Sequence, residues 1–410
     1  MTHLLAAPVP ALLPELLPYH RMARVSARHR WWRPVLGTGF VAVACVLVAG
    51  LLYALGSVLG AARGYPEAAD GTVEFGPVPG TALDLLAIAS AIPVVLLAVR
   101  WAGRRPAGTV SSVTGGLRWP WLGRCVLVAF PVLAVTTGAM VLLPTDDAAP
   151  SRWAGWEVFG PALAMLVVLV PLQAAAEEYV FRGWLTQAVG AFLRSPWWAL
   201  VPQAVLFAAA HGWGTPWGFA DLALYGVVAG RLTVRTGGLE AAIGLHAVNN
   251  LLAFGVSAAV VDGLKSDETA ADLPWQLVAV DLAGIALYTA AVLWLARRHP
   301  PTRTAPAPAP VPAPPPWPFP GPHPQTLGAH VPVSWAPAPV PVPGSVPVPV
   351  PGSVPGSVPV PGPAPYADRT DAPGLPPGAA PRTAPPPGDT GLPPRRESSR
   401  PSQLPDQQRN

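Results

Sequence analysis

The sequence predicts an all-α protein: a polytopic transmembrane helical bundle of about eight spans, followed by a disordered proline-rich tail. Three observations carry this. The 410-residue chain is 51% hydrophobic and only 12% charged, with a mean hydropathy of +0.38, a composition unusual for a soluble protein of this size. Its apolar residues gather in runs close to the roughly 20 residues that a helix needs to cross the hydrocarbon core. From His299 onward the composition changes, and 37 of the 57 prolines lie there.

Residues 1–34 read as a basic cytosolic segment. Its arginines and prolines, and a following apolar run long enough to span, argue for a retained anchor rather than a cleaved signal peptide. The transmembrane domain is expected over residues 35–298. Its spans are Val35–Ala62, Thr81–Val99, Cys125–Leu143, Phe159 to about Phe181, Trp197–His211, Phe219 to about Leu232, Leu239–Val260 and Trp275–Ala296. The fifth and sixth are short. Arg21, Arg24, Arg28, Arg30 and Arg33 precede the first span, Arg100, Arg104, Arg105, Arg118 and Arg124 lie between the second and third, and Arg297, Arg298 and Arg303 follow the last. The positive-inside rule makes all three groups cytosolic. The acidic loops around Glu67, Asp70 and Glu74, around Asp146 and Asp147, and around Asp262 and Asp267 then lie on the other side. Eight crossings satisfy every loop, giving a multi-pass protein of the cell membrane with both termini cytosolic.

Residues 299–410 contain the loose repeat VPVPVPGSVPGSVPVPGP. Proline fixes φ and removes a backbone donor, so polyproline II and disorder are the natural states of such a segment. A solvated low-complexity tail is the simpler reading, against a spacer or a ligand for a proline-binding module. Cys45 and Cys125 both fall inside apolar spans and read as packing residues. The formal charge of +4 does not indicate nucleic acid, because the arginines flank spans rather than forming a basic patch interleaved with aromatics. The expected partners are membrane lipid and a protein or peptide substrate.

Three charged groups sit in QAAAEEYVFRGWL, at the end of the fourth apolar run: Glu177, Glu178 and Arg182. A charge near mid-membrane costs about 2.5 to 3.5 kcal/mol even on the lenient insertion scale, so these groups must face protein or a water-filled cavity. Glu178 and Arg182 are four apart and share a helix face, whereas Glu177 is turned about 100° away. One glutamate has a partner and the other is free to act as a base. Capping of a span at the headgroups is the bland alternative. Two further sets weigh against it: Phe207 and His211 in AVLFAAAHGWG, and His246 and Asn250, one turn apart, in GLEAAIGLHAVNNLLAFG. Taken singly, each histidine reads as an interfacial or hydrogen-bonded core residue and each asparagine as interhelical glue. Together they supply what peptide hydrolysis needs: a base for water, oxyanion donors and candidate metal ligands.

The order EExxxR, FxxxH, HxxxN resembles the CPBP family of intramembrane proteases, the Abi group that includes type II CAAX prenyl endopeptidases and bacteriocin-processing or self-immunity proteins. The resemblance covers about Trp153 to Val260. It implies a membrane endopeptidase in which Glu177 activates water with help from His211. His246 and Asn250 would hold the oxyanion, and Glu178 and Arg182 would support the site. It also implies a metalloprotease class, with Zn²⁺ on Glu177, His211 and His246. The zinc signature HExxH is absent, and a metal-free base mechanism uses the same residues, so both stay open. The substrate would be a membrane-associated protein, CAAX-type or bacteriocin-like.

Two other classes compete. A non-hydrolytic immunity or scaffold protein of the same fold would not need all six polar groups. A proton-coupled transporter would show a broken helix pair or an internal repeat, and neither is visible. Counting along the helices leaves one difficulty: His211 falls some 20 Å from Glu177. Either the fifth span starts well below the headgroups or Gly183 to Arg194 re-enters the protein.

Overall fold

The computed structural model describes residues 15–69, 71–143, 152–266 and 268–308. The expected loop residues Asp70, Asp146, Asp147 and Asp267, and the tail from residue 309, lie outside the described residues. Among the described residues ten α-helices make up the bundle: α1 Trp32–Ala62, α2 Pro77–Ala89, α3 Ala91–Trp101, α4 Trp119–Leu142, α5 Trp156–Glu178, α6 Thr186–Gly190, α7 Trp197–Ala210, α8 Pro216–Thr236, α9 Glu240–Ala259 and α10 Trp275–Arg298. All eight predicted spans are helical. Among the described residues six stretches are long and apolar enough to cross a membrane, the second of them running through α2 and α3 and the fourth through α5 and α6. The two that fall short are α7, with 14 residues, and α8, whose Asp221, Arg231 and Arg235 dilute its apolar character.

The segments alternate between two ends of the bundle. At the basic end, Arg24 donates to the Ala191 carbonyl, Arg33 to that of Ala102, and Ser112 bridges Gly238. At the opposite end, Ala154 N–H donates to Ala259 and Thr215 N–H to Ala271. Exposed tryptophans mark both levels: Trp31, Trp32, Trp101, Trp119 and Trp198 at the basic end, Trp153, Trp156, Trp213, Trp217 and Trp275 at the other. Two such belts are the signature of headgroup depth on both sides of a membrane-spanning bundle.

Small residues set the closest helix approaches. A Cβ on Gly226 would meet Ala204 at 2.8 Å, and one on Gly244 would meet Cys125 at 3.1 Å, so α8 lies tight on α7 and α9 on α4, as expected where packing rather than hydrophobicity drives association. Both cysteines are free. The basic end is fastened by Arg118, whose guanidinium donates to both oxygens of the sealed Glu240 carboxylate at 2.9 and 2.6 Å and to the carbonyls of Thr236 and Thr302.

The two terminal segments are more structured than their composition suggests. Strand β1, Leu16–Pro18, pairs antiparallel with β2, Thr304–Pro306, and a 3₁₀ turn follows at Tyr19–Arg24. Tyr19, Met22 and Ala305 are buried with Val95, Val99 and Trp184 in one apolar cluster. The folded unit therefore includes residues of the basic N-terminal segment and extends past the expected boundary at His299. Both described ends of the chain lie on one side of the bundle.

Candidate active site

The fourth apolar run does not stop near Phe181. A π-helical turn, Tyr179–Leu185, follows α5 without a break and leads into α6. Within it, Thr186 donates its hydroxyl to the Phe181 carbonyl at 3.0 Å, satisfying a group that the widened turn frees. The chain reverses over residues 191–196, and α7 runs back. Each arm is about 20 Å long at 1.5 Å per residue, so His211, at the end of α7, returns to the level of Glu177. This removes the counting difficulty. Neither expected alternative is needed: α7 starts at Trp197 as expected, and it is the preceding run that continues, residues 179–190 being helical, so that Glu177 lies deeper.

All six predicted polar residues converge there. Arg182 Nη1 donates to Glu178 Oε1 at 3.0 Å, both side chains being fully buried, and His246 Nδ1 donates to the same oxygen at 2.7 Å. Arg182 also lies over the Phe207 ring, 4.0 Å from its centroid, a cation–π contact worth about 2 kcal/mol when desolvated. Glu178 is thus committed to two cationic or donor partners.

Glu177 is placed differently. Its Oε1 accepts from Gln173 Nε2. Its Oε2 is buried without a hydrogen-bond partner among the described residues, and it faces His246 Nε2 at 3.6 Å and His211 Nε2 at 3.9 Å. His211 Nδ1 donates to the Phe207 carbonyl at 2.9 Å. Because each histidine spends its Nδ1 proton on a fixed acceptor, the neutral tautomer leaves its Nε2 lone pair toward Glu177. Side-chain exposure is 13% for Glu177 and 22% for His211, against 0% for Glu178, so only the first glutamate opens toward an incoming molecule.

Two participants escaped the sequence reading. Gln173, one turn before Glu177, donates to it and accepts from Asn250 Nδ2 at 3.2 Å, tying base and asparagine into one array. The i, i+4 spacing to Glu177 was the available signal. Tyr225 of α8 stacks on Phe207 at 5.7 Å and meets His246 edge-on at 5.6 Å; nothing in its local sequence marks it. Phe207 itself contacts Phe181, His211, Tyr225 and His246, which makes it the floor on which both imidazoles rest. Among the described residues no three His, Cys, Asp or Glu side chains form a group that could hold a metal ion.

Residues 159–252 match the family described as Type II CAAX prenyl endopeptidase Rce1-like. A Bacillus subtilis (strain 168) protein, printed as uncharacterized protein YyaK, is 30% identical over 167 residues, which cover 39% of this chain and 56% of that protein. The match thus spans little more than half the length of that relative. No solved structure matches significantly. The matched region contains every one of the six converging residues, so the helices that assemble them are the part of the chain that is similar to the type II CAAX prenyl endopeptidase Rce1-like family.

Proposed function

We propose that the protein is an intramembrane endopeptidase that hydrolyses a peptide bond of a membrane-associated protein or peptide, of CAAX or bacteriocin-like type, with Glu177 as the base. One observation carries this reading: both glutamates keep a buried Oε2 without a hydrogen-bond partner among the described residues, but Glu178 is fully sealed with its Oε1 bonded to Arg182 and His246, while Glu177 is 13% exposed and its free oxygen faces two imidazole Nε2 atoms. A carboxylate held this way accepts a proton from water without first breaking another bond.

In the proposed reaction, Glu177 Oε2 takes a proton from water as its oxygen attacks the scissile carbonyl carbon. The oxyanion forms beside the His246 imidazole and opposite the second Nδ2 hydrogen of Asn250, the first being held by Gln173. Such preorganised donors typically contribute about 10²- to 10³-fold in rate. The carbonyl re-forms, the C–N bond breaks, and the proton passes from Glu177, with His211 beside it, to the leaving nitrogen. The products are one carboxylate and one amine. No step runs through a metal; Zn²⁺ on Glu177, His211 and His246 is the competing assignment, and chelation separates the two. The cell membrane with the basic end cytosolic is the setting proposed with this activity.

The test is a comparison of peptide termini, by mass spectrometry, in membranes from cells carrying the natural chain or Glu177→Gln. New termini that depend on Glu177 are expected. Identical termini in the two membranes would leave the non-hydrolytic scaffold as the better reading.

A further inference from the structure

The basic end holds a second concentration of charge that the proposed hydrolysis does not use. Arg24, Arg28, Arg30 and Arg33 meet Arg104 and Arg105 from the loop after α3: Ser26 Oγ donates to the Arg104 carbonyl at 3.1 Å and Arg33 Nη1 to that of Ala102 at 3.5 Å. Arg28, Arg30 and Arg104 lie within electrostatic reach of Arg33, and Arg24, Arg33 and Arg105 within reach of His29. Among the described residues none of these six arginines has a carboxylate partner.

Arg105 separates this cluster from an ordinary orienting loop. The positive-inside bias requires only exposed charge, yet Arg105 is 5% exposed and its one side-chain partner is Thr109 Oγ1 at 2.7 Å. Burial pushes the pKa of its guanidinium down to about 10, against a smaller opposing effect of Tyr19. The chain turns it inward through Arg104, which takes the left-handed φ of 50° that non-glycine residues seldom adopt. Arg105, Arg33, His29, Gly103 and Trp184 line a narrow cleft of about 10 Å³, room for about one water molecule, that opens at a wider mouth.

The surroundings identify the occupant. Trp31, Trp32 and Trp101 are exposed at this level, as residues at headgroup depth are. Just beyond Pro34, which also lines the cleft, Val35 and Leu36 turn 61% and 46% of their surface outward. A phosphate at the mouth would find two guanidinium groups, the preferred partners of that group, and acyl chains attached to it would lie against an apolar helix face. We infer that the mouth of this cleft binds the phosphate of an anionic phospholipid, with Arg33 and Arg105 as its ligands and the lipid chains along α1.

The test uses the full-length protein in uncharged detergent, titrated with dioctanoyl phosphatidylglycerol, dioctanoyl phosphatidylcholine or inorganic phosphate, with binding read by native mass spectrometry. The phosphatidylglycerol is expected to bind roughly tenfold or more tightly than either alternative, a difference that basic headgroup pockets supply. Arg33→Gln, at a half-buried position that need not disturb folding, should remove most of that preference. Arg105→Gln should do the same if it folds. Arg28→Gln removes an exposed charge outside the cleft and should change binding less than about threefold. Equal binding of the two lipids, or equal losses from Arg28→Gln and Arg33→Gln, would overturn the site in favour of diffuse attraction. Inorganic phosphate binding as tightly as phosphatidylglycerol would overturn the lipid assignment.

Discussion

At the scale of single residues, the two adjacent glutamates divide their work by helix face. The Glu178–Arg182 pairing was legible from the spacing of four, and it forms at 3.0 Å. The partnership of Glu178 with His246 was not legible, because it joins residues 68 apart through tertiary packing. Gln173 shows the opposite failure: its spacing was visible, but a glutamine in an apolar run carries no charge to demand an explanation. Because Gln173 orients both Glu177 and Asn250, Gln173→Leu should lower kcat by roughly 10- to 100-fold with KM little changed, as expected for misplaced reacting groups. A loss confined to KM would show that it contacts substrate instead. Chelation belongs to the same scale. Activity of metal-free protein after exhaustive treatment with a strong chelator should be retained, and loss that Zn²⁺ restores would decide for the metal assignment.

At the scale of elements, the departures from sequence reading have one cause: short pieces fold by contact with neighbours. The apolar run ending near Phe181 gives no sign that a π-helical turn and α6 continue it, because Arg182 and Gln187 interrupt the hydropathy. Both side chains are buried in protein, Gln187 donating to the Thr109 carbonyl at 3.0 Å. π-helical turns of this kind concentrate at functional sites, and here the turn carries Arg182 beneath the cluster and Trp184 to the basic end, where it donates to Thr38 at 3.0 Å. The β1–β2 pair was illegible for a different reason: three residues on each side have no periodicity to read. Its burial of Leu17, Tyr19 and Ala305 makes a testable difference. Truncation after Pro308 should leave thermal stability in detergent unchanged, whereas truncation after Arg298 should lower it by about 2 to 4 kcal/mol, through loss of the strand pairing and of Ala305 burial. Equal stability of the two truncated chains would show that β2 contributes nothing.

At the scale of the whole molecule, hydropathy and arginine distribution were sufficient to give eight alternating helical segments, because lipid constrains span length and backbone pairing more strictly than water does. The short α7 and polar α8 were harder to delimit, since they lie among other helices and need not be apolar all round. The sixteen tryptophans were an unused signal, and many of them mark the two belts. If the basic end is cytosolic, an impermeant thiol reagent added outside intact cells should label Lys265→Cys and miss Arg28→Cys. The reverse pattern would invert the orientation.

The central claim is that Glu177 is a base and Glu178 is the counter-charge of Arg182 and His246, and one paired measurement addresses it directly: thermal unfolding in detergent together with cleavage of a reporter peptide, for Glu177→Gln and Glu178→Gln. Glu177→Gln should unfold like the natural protein and fail to cleave, because the amide keeps the shape and cannot accept the proton. Glu178→Gln should lose on the order of 3 to 5 kcal/mol, because Arg182 is left buried without its counter-charge. Normal cleavage by Glu177→Gln, or equal stability losses in the two variants, would contradict the account.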